Sequence, residues 1–170
     1  MPVAFGVLWC LWASIIWSLS ASAQSPDFER QIEPLTTIDK QFMAEQRARV
    51  EQLANRLGRN LTGNADRDID TLQRIIDDRL IQADDTLTQQ ALGIVLGDLF
   101  SQRLDMDWVV YRDPKGRSRA LRYRDTDIYL FPVTMISRRQ AAGSLRPIKP
   151  LYDEAVRETL LRIPGGKWFI

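Results

Sequence analysis

Residues 91–100 read ALGIVLGDLF, and Asp98 is the one charged residue among them. With its flanks, this run predicts a helix from about Asp85 or Thr86 to Leu104. Because the run is apolar on nearly every side, we expect it to be the central and most buried helix. Gly93 and Gly97 lie on one face of that helix, so a neighbouring backbone or aromatic side chain can approach closely there.

Two amphipathic helices are predicted upstream of this run. Apolar residues recur at intervals of three and four from Thr37 to Leu57, and again from about Asp68 to Ile81. Gly58 ends the first of these helices. Residues 24–36 contain two prolines and are predicted to form an extended lead-in.

Downstream, the pattern changes from helical to extended. Two strands, 108–111 and 120–123, flank a type I turn at Asp113-Pro114-Lys115-Gly116, and a third strand is predicted at 127–131. Short helices follow at about 134–141 and 151–161. The predicted fold class is α+β: helices, then a three-stranded antiparallel meander packed on the buried apolar helix, then two short C-terminal helices.

The first 23 residues contain no Asp, Glu, Lys or Arg, and they end in Ser20-Ala21-Ser22-Ala23. This pattern predicts a signal peptide at 1–23, cleaved after Ala23, a lead-in at 24–36 and a single domain at 37–170. We therefore expect a periplasmic protein. The apolar run is also long enough to span a bilayer, so an uncleaved anchor with the domain facing the periplasm is the alternative, and only that form would contact a membrane.

The composition excludes several classes of chemistry. The sequence has no His, and its single Cys, Cys10, lies inside the leader. Ser-His-Asp and Cys-His mechanisms and the usual zinc sites are therefore excluded, and no cofactor or metal is predicted. A near balance of 23 basic and 22 acidic residues argues against nucleic-acid binding, which normally shows a basic excess.

Two acidic patterns were weighed as chemical sites. Asp66, Asp68 and Asp70 have the spacing of a calcium loop, but Thr71 stands where that loop needs Gly, so aspartates at a helix N-terminus explain the pattern better. The pairs at 77–78 and 84–85 would need to face each other across a sugar ring to act as acid and base. A carboxylate-dependent envelope hydrolase is accordingly the alternative function.

The predicted ligand-binding residues are Arg122, Arg124, Arg138 and Arg139. Alternate strand residues share a face, so Arg122 and Arg124 are expected to project together and to meet Arg138 or Arg139 around an anionic group. The competing interpretation is a solvent-exposed face in which arginines pair with nearby aspartates, at 107, 113, 125 and 127.

We therefore expect a non-catalytic interaction or anionic-ligand-binding domain, whose partner is an envelope protein or an anionic ligand. No catalytic motif points to an enzyme. The C-terminal Trp168-Phe169-Ile170 either docks on the domain or forms an exposed apolar hook for a partner or the membrane surface.

A set of short motifs in order along the chain resembles the domain of unknown function 3806 family, which occurs in small exported and other proteins of Gram-negative bacteria. The motifs lie at 91–98, 104–109, 120–123, 131–139 and 151–153. The resemblance covers about residues 75–155. It implies an α+β domain and no particular activity.

Overall fold

The computed structural model describes residues 30–144 and 146–165. The predicted signal peptide with its cleavage site at Ala23, and the aromatic tail at 168–170, lie outside these residues. The described chain is α+β, as predicted. Its elements are β1 (Gln31–Pro34), α1 (Thr37–Arg56), α2 (Ala65–Asp77), α3 (Thr86–Leu104), β2 (Asp107–Asp113), β3 (Gly116–Arg122), β4 (Tyr129–Leu130), a 3₁₀ turn (Pro132–Thr134), α4 (Met135–Ala141) and α5 (Ile148–Arg162).

The sheet of the described chain has four antiparallel strands in the order β1-β2-β3-β4, so the prediction of three strands is wrong. The extra strand is β1, in the segment predicted as a lead-in, where Gln31 pairs with Arg112 and Pro34 with Val109. Proline weakened the strand signal there, but an edge strand hydrogen-bonds to one neighbour only and tolerates proline. At the opposite edge β4 is two residues long, shorter than the predicted 127–131.

Helix α3 is the buried centre of the domain, as predicted. Leu92, Leu96 and Phe100 on it are fully buried. A Cβ atom built on Gly93 would lie 2.5 Å from the carbonyl oxygen of Val133, and one on Gly97 would overlap the Trp108 ring. Both predicted close approaches are therefore confirmed: the 3₁₀ turn lies against one glycine and a strand aromatic against the other.

Helices α2 and α5 differ in their boundaries from the predictions, and α2 begins at Ala65 instead of about Asp68. α2 ends at Asp77 instead of Ile81, because Arg79 takes a left-handed φ of 53° and Ile81 continues in the loop. α5 begins at Ile148, three residues before the predicted start. Pro150 is compatible with that start because the first-turn N–H it lacks has no partner inside a helix. Among the described helices, none combines the length and the apolar character needed to cross a membrane.

Candidate functional site

A cleft of about 550 Å³ opens between the end of α2, the loop after it, α4 and the start of α5. Its volume lies in the range of small-molecule sites, roughly 300 to 1,000 Å³. The apolar part of its described lining is aliphatic and consists of Ile76, Ile81, Ala83, Ile136, Ile148 and Leu151. The walls come from segments far apart in sequence, so no local motif predicts the cleft.

The charged groups of the cleft are mostly cationic. Arg79, Arg139 and Arg146 line it, whereas Asp77 is the single carboxylate among its described lining residues. Arg146 lies 3.6 Å from Glu154, outside the lining. The cleft therefore combines an aliphatic wall with an excess of positive charge.

Arg139 reaches the cleft because of its position on α4. Ile136 is buried in the core, and Arg139 follows three residues later on the same helix face. Its side chain contacts Ser144, with 3.5 Å between Nη2 and Oγ. The neighbouring Arg138 is exposed and does not line the cleft. Two adjacent arginines thus differ in environment, and one of them faces the cleft.

Gln73 fixes the geometry of the opposite wall. Its Oε1 accepts a hydrogen bond of 2.8 Å from the backbone N–H of Ile148, at the start of α5. Its Nε2 donates one of 2.8 Å to the Asp77 carboxylate. The amide therefore joins α2 to α5 and orients Asp77. No sequence spacing links residues 73 and 148, so sequence reasoning missed this contact.

The other predicted arginines lie elsewhere on the molecule. Arg122 donates from Nε to the Thr126 carbonyl oxygen at 2.9 Å, and Arg124 lies 3.6 Å from Asp105. The expected shared face fails because β3 ends at Arg122 and Arg124 has a left-handed φ of 47°, so strand alternation does not reach it. Of the four predicted arginines, Arg139 is the one that lines the cleft; the ligand-binding role of the set stays a prediction.

The paired-arginine interpretation is confirmed for two of the named aspartates, since Arg122 lies 3.3 Å from Asp125 and Arg30 lies 3.1 Å from Asp127. The most buried arginine pairing, however, involves a residue that was not predicted. Asp39, whose side chain is 2% exposed, pairs with Arg117 at 2.5 Å and with Arg119 at 2.9 Å. It also accepts hydrogen bonds from the Thr36 hydroxyl and backbone N–H, as the third residue of a capping box. The hydrogen bond from Arg117 is the main reason that the pKa of Asp39 lies well below its usual range. The Thr-x-x-Asp pattern before α1 was the available signal.

Two of the predicted acidic candidates serve as a turn acceptor and a helix cap. Asp68 accepts hydrogen bonds from the backbone N–H groups of Thr62 and Gly63. Asp85 caps α3, and its hydrogen bonds with Thr88 lower its pKa. The hydrolase alternative needs two facing carboxylates in a cleft, one of them with a raised pKa. The described lining of the cleft above supplies Asp77 alone. A second cleft, of about 590 Å³, is lined by Glu45 and by Asp85, whose pKa is lowered. These aspartates are placed to stabilise the fold.

Three comparisons place the chain among known proteins. A family model described as "Domain of unknown function (DUF3806)" matches residues 68–152. A crystal structure of a protein from Bacteroides thetaiotaomicron VPI-5482 matches with a TM-score of 0.67 and 18% identity, over 76% of this chain and 48% of that one. This chain thus spans about half the length of that protein, and the likeness concerns the fold alone. No curated protein matches.

Proposed function

Because the chain belongs to the DUF3806 family, which carries no assigned activity, we propose from the cleft that it is a ligand-binding protein for a small anionic molecule. Arg139 is the residue that would hold the anion. The aliphatic wall would contact the rest of the ligand. The proposed function is non-catalytic.

The observation that carries the proposal is the environment of Arg139. Arg139 is a half-buried residue that lines the cleft together with aliphatic side chains, and within the described residues its side chain pairs with no carboxylate and contacts the Ser144 hydroxyl. A cation that is partly removed from water gains from a charge-assisted hydrogen bond to an anion. Arg79 and Arg146 add positive charge at the same cleft.

The apolar leader supports a periplasmic location for ligand binding. A signal peptide at 1–23 would deliver the binding domain to the periplasm, and an uncleaved leader would hold it at the inner membrane. Determining the N-terminal residue of the protein recovered from cells tests this, with Gln24 expected. Recovery of an intact Met1 terminus from the membrane fraction would instead establish the anchored form. An envelope-protein partner remains a separate prediction.

The binding proposal is tested by titrating the purified protein with octanoate, 2-naphthoate and the cation octylammonium, followed by NMR or calorimetry. Arg139→Ala should weaken binding of at least one of the two anions by about ten- to a hundredfold, as expected for a hydrogen bond to a charged group. Arg138→Ala is the matched control, because it removes the same charge from the same helix but at an exposed position. Octylammonium should bind more weakly than the anions.

Two results would overturn the proposal. Equal effects of Arg138→Ala and Arg139→Ala on both anions would show that overall charge, and not the cleft, governs binding. Equal binding of octylammonium and octanoate would show that the site does not select for negative charge.

A further inference from the structure

We infer that the ligand of this cleft is a single-chain aliphatic carboxylate, in which one end carries the anion and the remainder is an unbranched alkyl chain. This inference rests on the proposed function and narrows its ligand class. The aliphatic wall of the cleft supports this narrower class, whereas Arg139 supports the binding of an anion.

The aliphatic side chains of the cleft wall indicate what the uncharged part of the ligand is. The cleft's apolar residues are Ile, Leu and Ala, and no aromatic side chain is among its described lining residues. Sites that bind nucleobases or other planar rings commonly stack them on aromatic side chains. A flexible alkyl chain needs only aliphatic contact, which branched side chains supply.

The carboxylate end of the ligand has a defined place in the cleft. Gln73 is not available to hold it, because its oxygen is used on Ile148 and its nitrogen on Asp77. A carboxylate places its polar atoms at one end, where Arg139 and Ser144 already lie together.

The cleft's dimensions favour one chain taken from solution. The cleft has a volume of about 550 Å³ and is bounded by α2, α4 and α5, which limits the length of chain that it can hold. Arg139 and Ser144 contact each other at 3.5 Å, so the charged end of the ligand can be held there while the aliphatic residues contact its chain. A free carboxylate in solution meets these conditions better than a lipid that stays in a bilayer.

The test compares hexanoate, octanoate and decanoate with 2-naphthoate on the same purified protein. Each added methylene should tighten binding about fourfold, until the chain outgrows the cleft. Ile81→Ser should reduce this increment, because Ile81 is a half-buried loop residue that lines the cleft. Leu87→Ser is the control, since Leu87 is 58% exposed and lies outside the cleft lining.

The outcomes separate this inference from the proposed function. If 2-naphthoate binds more tightly than decanoate and its binding depends on Arg139, the alkyl-chain inference is wrong and the anion site stands. Arg139-dependent cosedimentation with phosphatidylglycerol vesicles, without decanoate binding, would likewise overturn it in favour of a membrane lipid. If no anion binding depends on Arg139, both fall.

Discussion

Replacing Gly93 by alanine tests the packing that places α4, and with it Arg139, over α3. The added Cβ would lie 2.5 Å from the Val133 carbonyl oxygen and 2.6 Å from that of Pro132, whereas ordinary contact begins at 3.4 Å. Both obstacles are backbone atoms of the 3₁₀ turn, so no flexible side chain can move aside. The turn itself would have to shift by about 0.9 Å, the difference between those distances for Val133.

The magnitude follows from two opposing effects. Alanine stabilises a helix interior by about 1 kcal/mol relative to glycine. Overpacking of a close-packed core costs about 1–3 kcal/mol, and a clash with backbone belongs at the upper end of that range. We therefore expect Gly93→Ala to lower the free energy of unfolding by about 2 kcal/mol and the melting temperature by roughly 6 °C for a domain of this size.

Urea denaturation followed by circular dichroism measures the free energy, and a thermal scan gives the melting temperature. The sign of the change in the free energy of unfolding is decisive, because helix propensity predicts an increase and overpacking predicts a decrease. A Gly93→Ala protein that is as stable as the wild type or more stable would refute the assigned contact between α3 and the 3₁₀ turn. Octanoate titration of the same variant shows whether a displaced turn also weakens the cleft.

Two further substitutions have clear expected outcomes. Asp39→Ala should lower the free energy of unfolding at pH 7 by about 3 kcal/mol, since it leaves two arginines without their buried partner. Asp70→Ala is the control, because it removes an exposed carboxylate that also pairs with two arginines, and it should cost at most about 1 kcal/mol. Urea denaturation compares the two variants, and equal losses of stability would contradict the argument. Because the pKa of Asp39 is lowered on folding, its contribution is present above its unfolded pKa of about 3.9 and is lost as the pH falls through the folded value, so stability should decrease less steeply below pH 4 in Asp39→Ala than in the wild type. Gln73→Ala should cost about 1 kcal/mol by freeing the Ile148 N–H and should weaken octanoate binding, whereas an unchanged dissociation constant would show that the amide does not shape the cleft.

The central elements of the fold were predictable because their signals are local. The run at 91–100 is apolar on nearly every side, and its glycines predicted the close approach of a backbone or an aromatic side chain, which the 3₁₀ turn and Trp108 make in the structure. β1 was not predictable, because a four-residue edge strand with one proline depends on its partner β2 and not on its own pattern.

The candidate site was predictable only in part, since it depends on contacts between distant segments. Arg139 was singled out from the sequence, but the expected companions Arg122 and Arg124 lie outside the cleft. The residues that do accompany it, Arg79 and Gln73, come from α2 and the loop after it. Their approach to α4 and α5 is set by tertiary packing, which no spacing along the chain encodes.

The pairing of β1 with β2 sets an order on the assembly of the sheet during synthesis. Gln31 pairs with Arg112, a residue made 81 positions later. At a translation rate of about 5–20 residues per second, β1 waits roughly 4 to 16 seconds for its partner. β1 is therefore the strand that waits longest for its partner, and its short length and Pro34 limit mispairing with other chains in that interval.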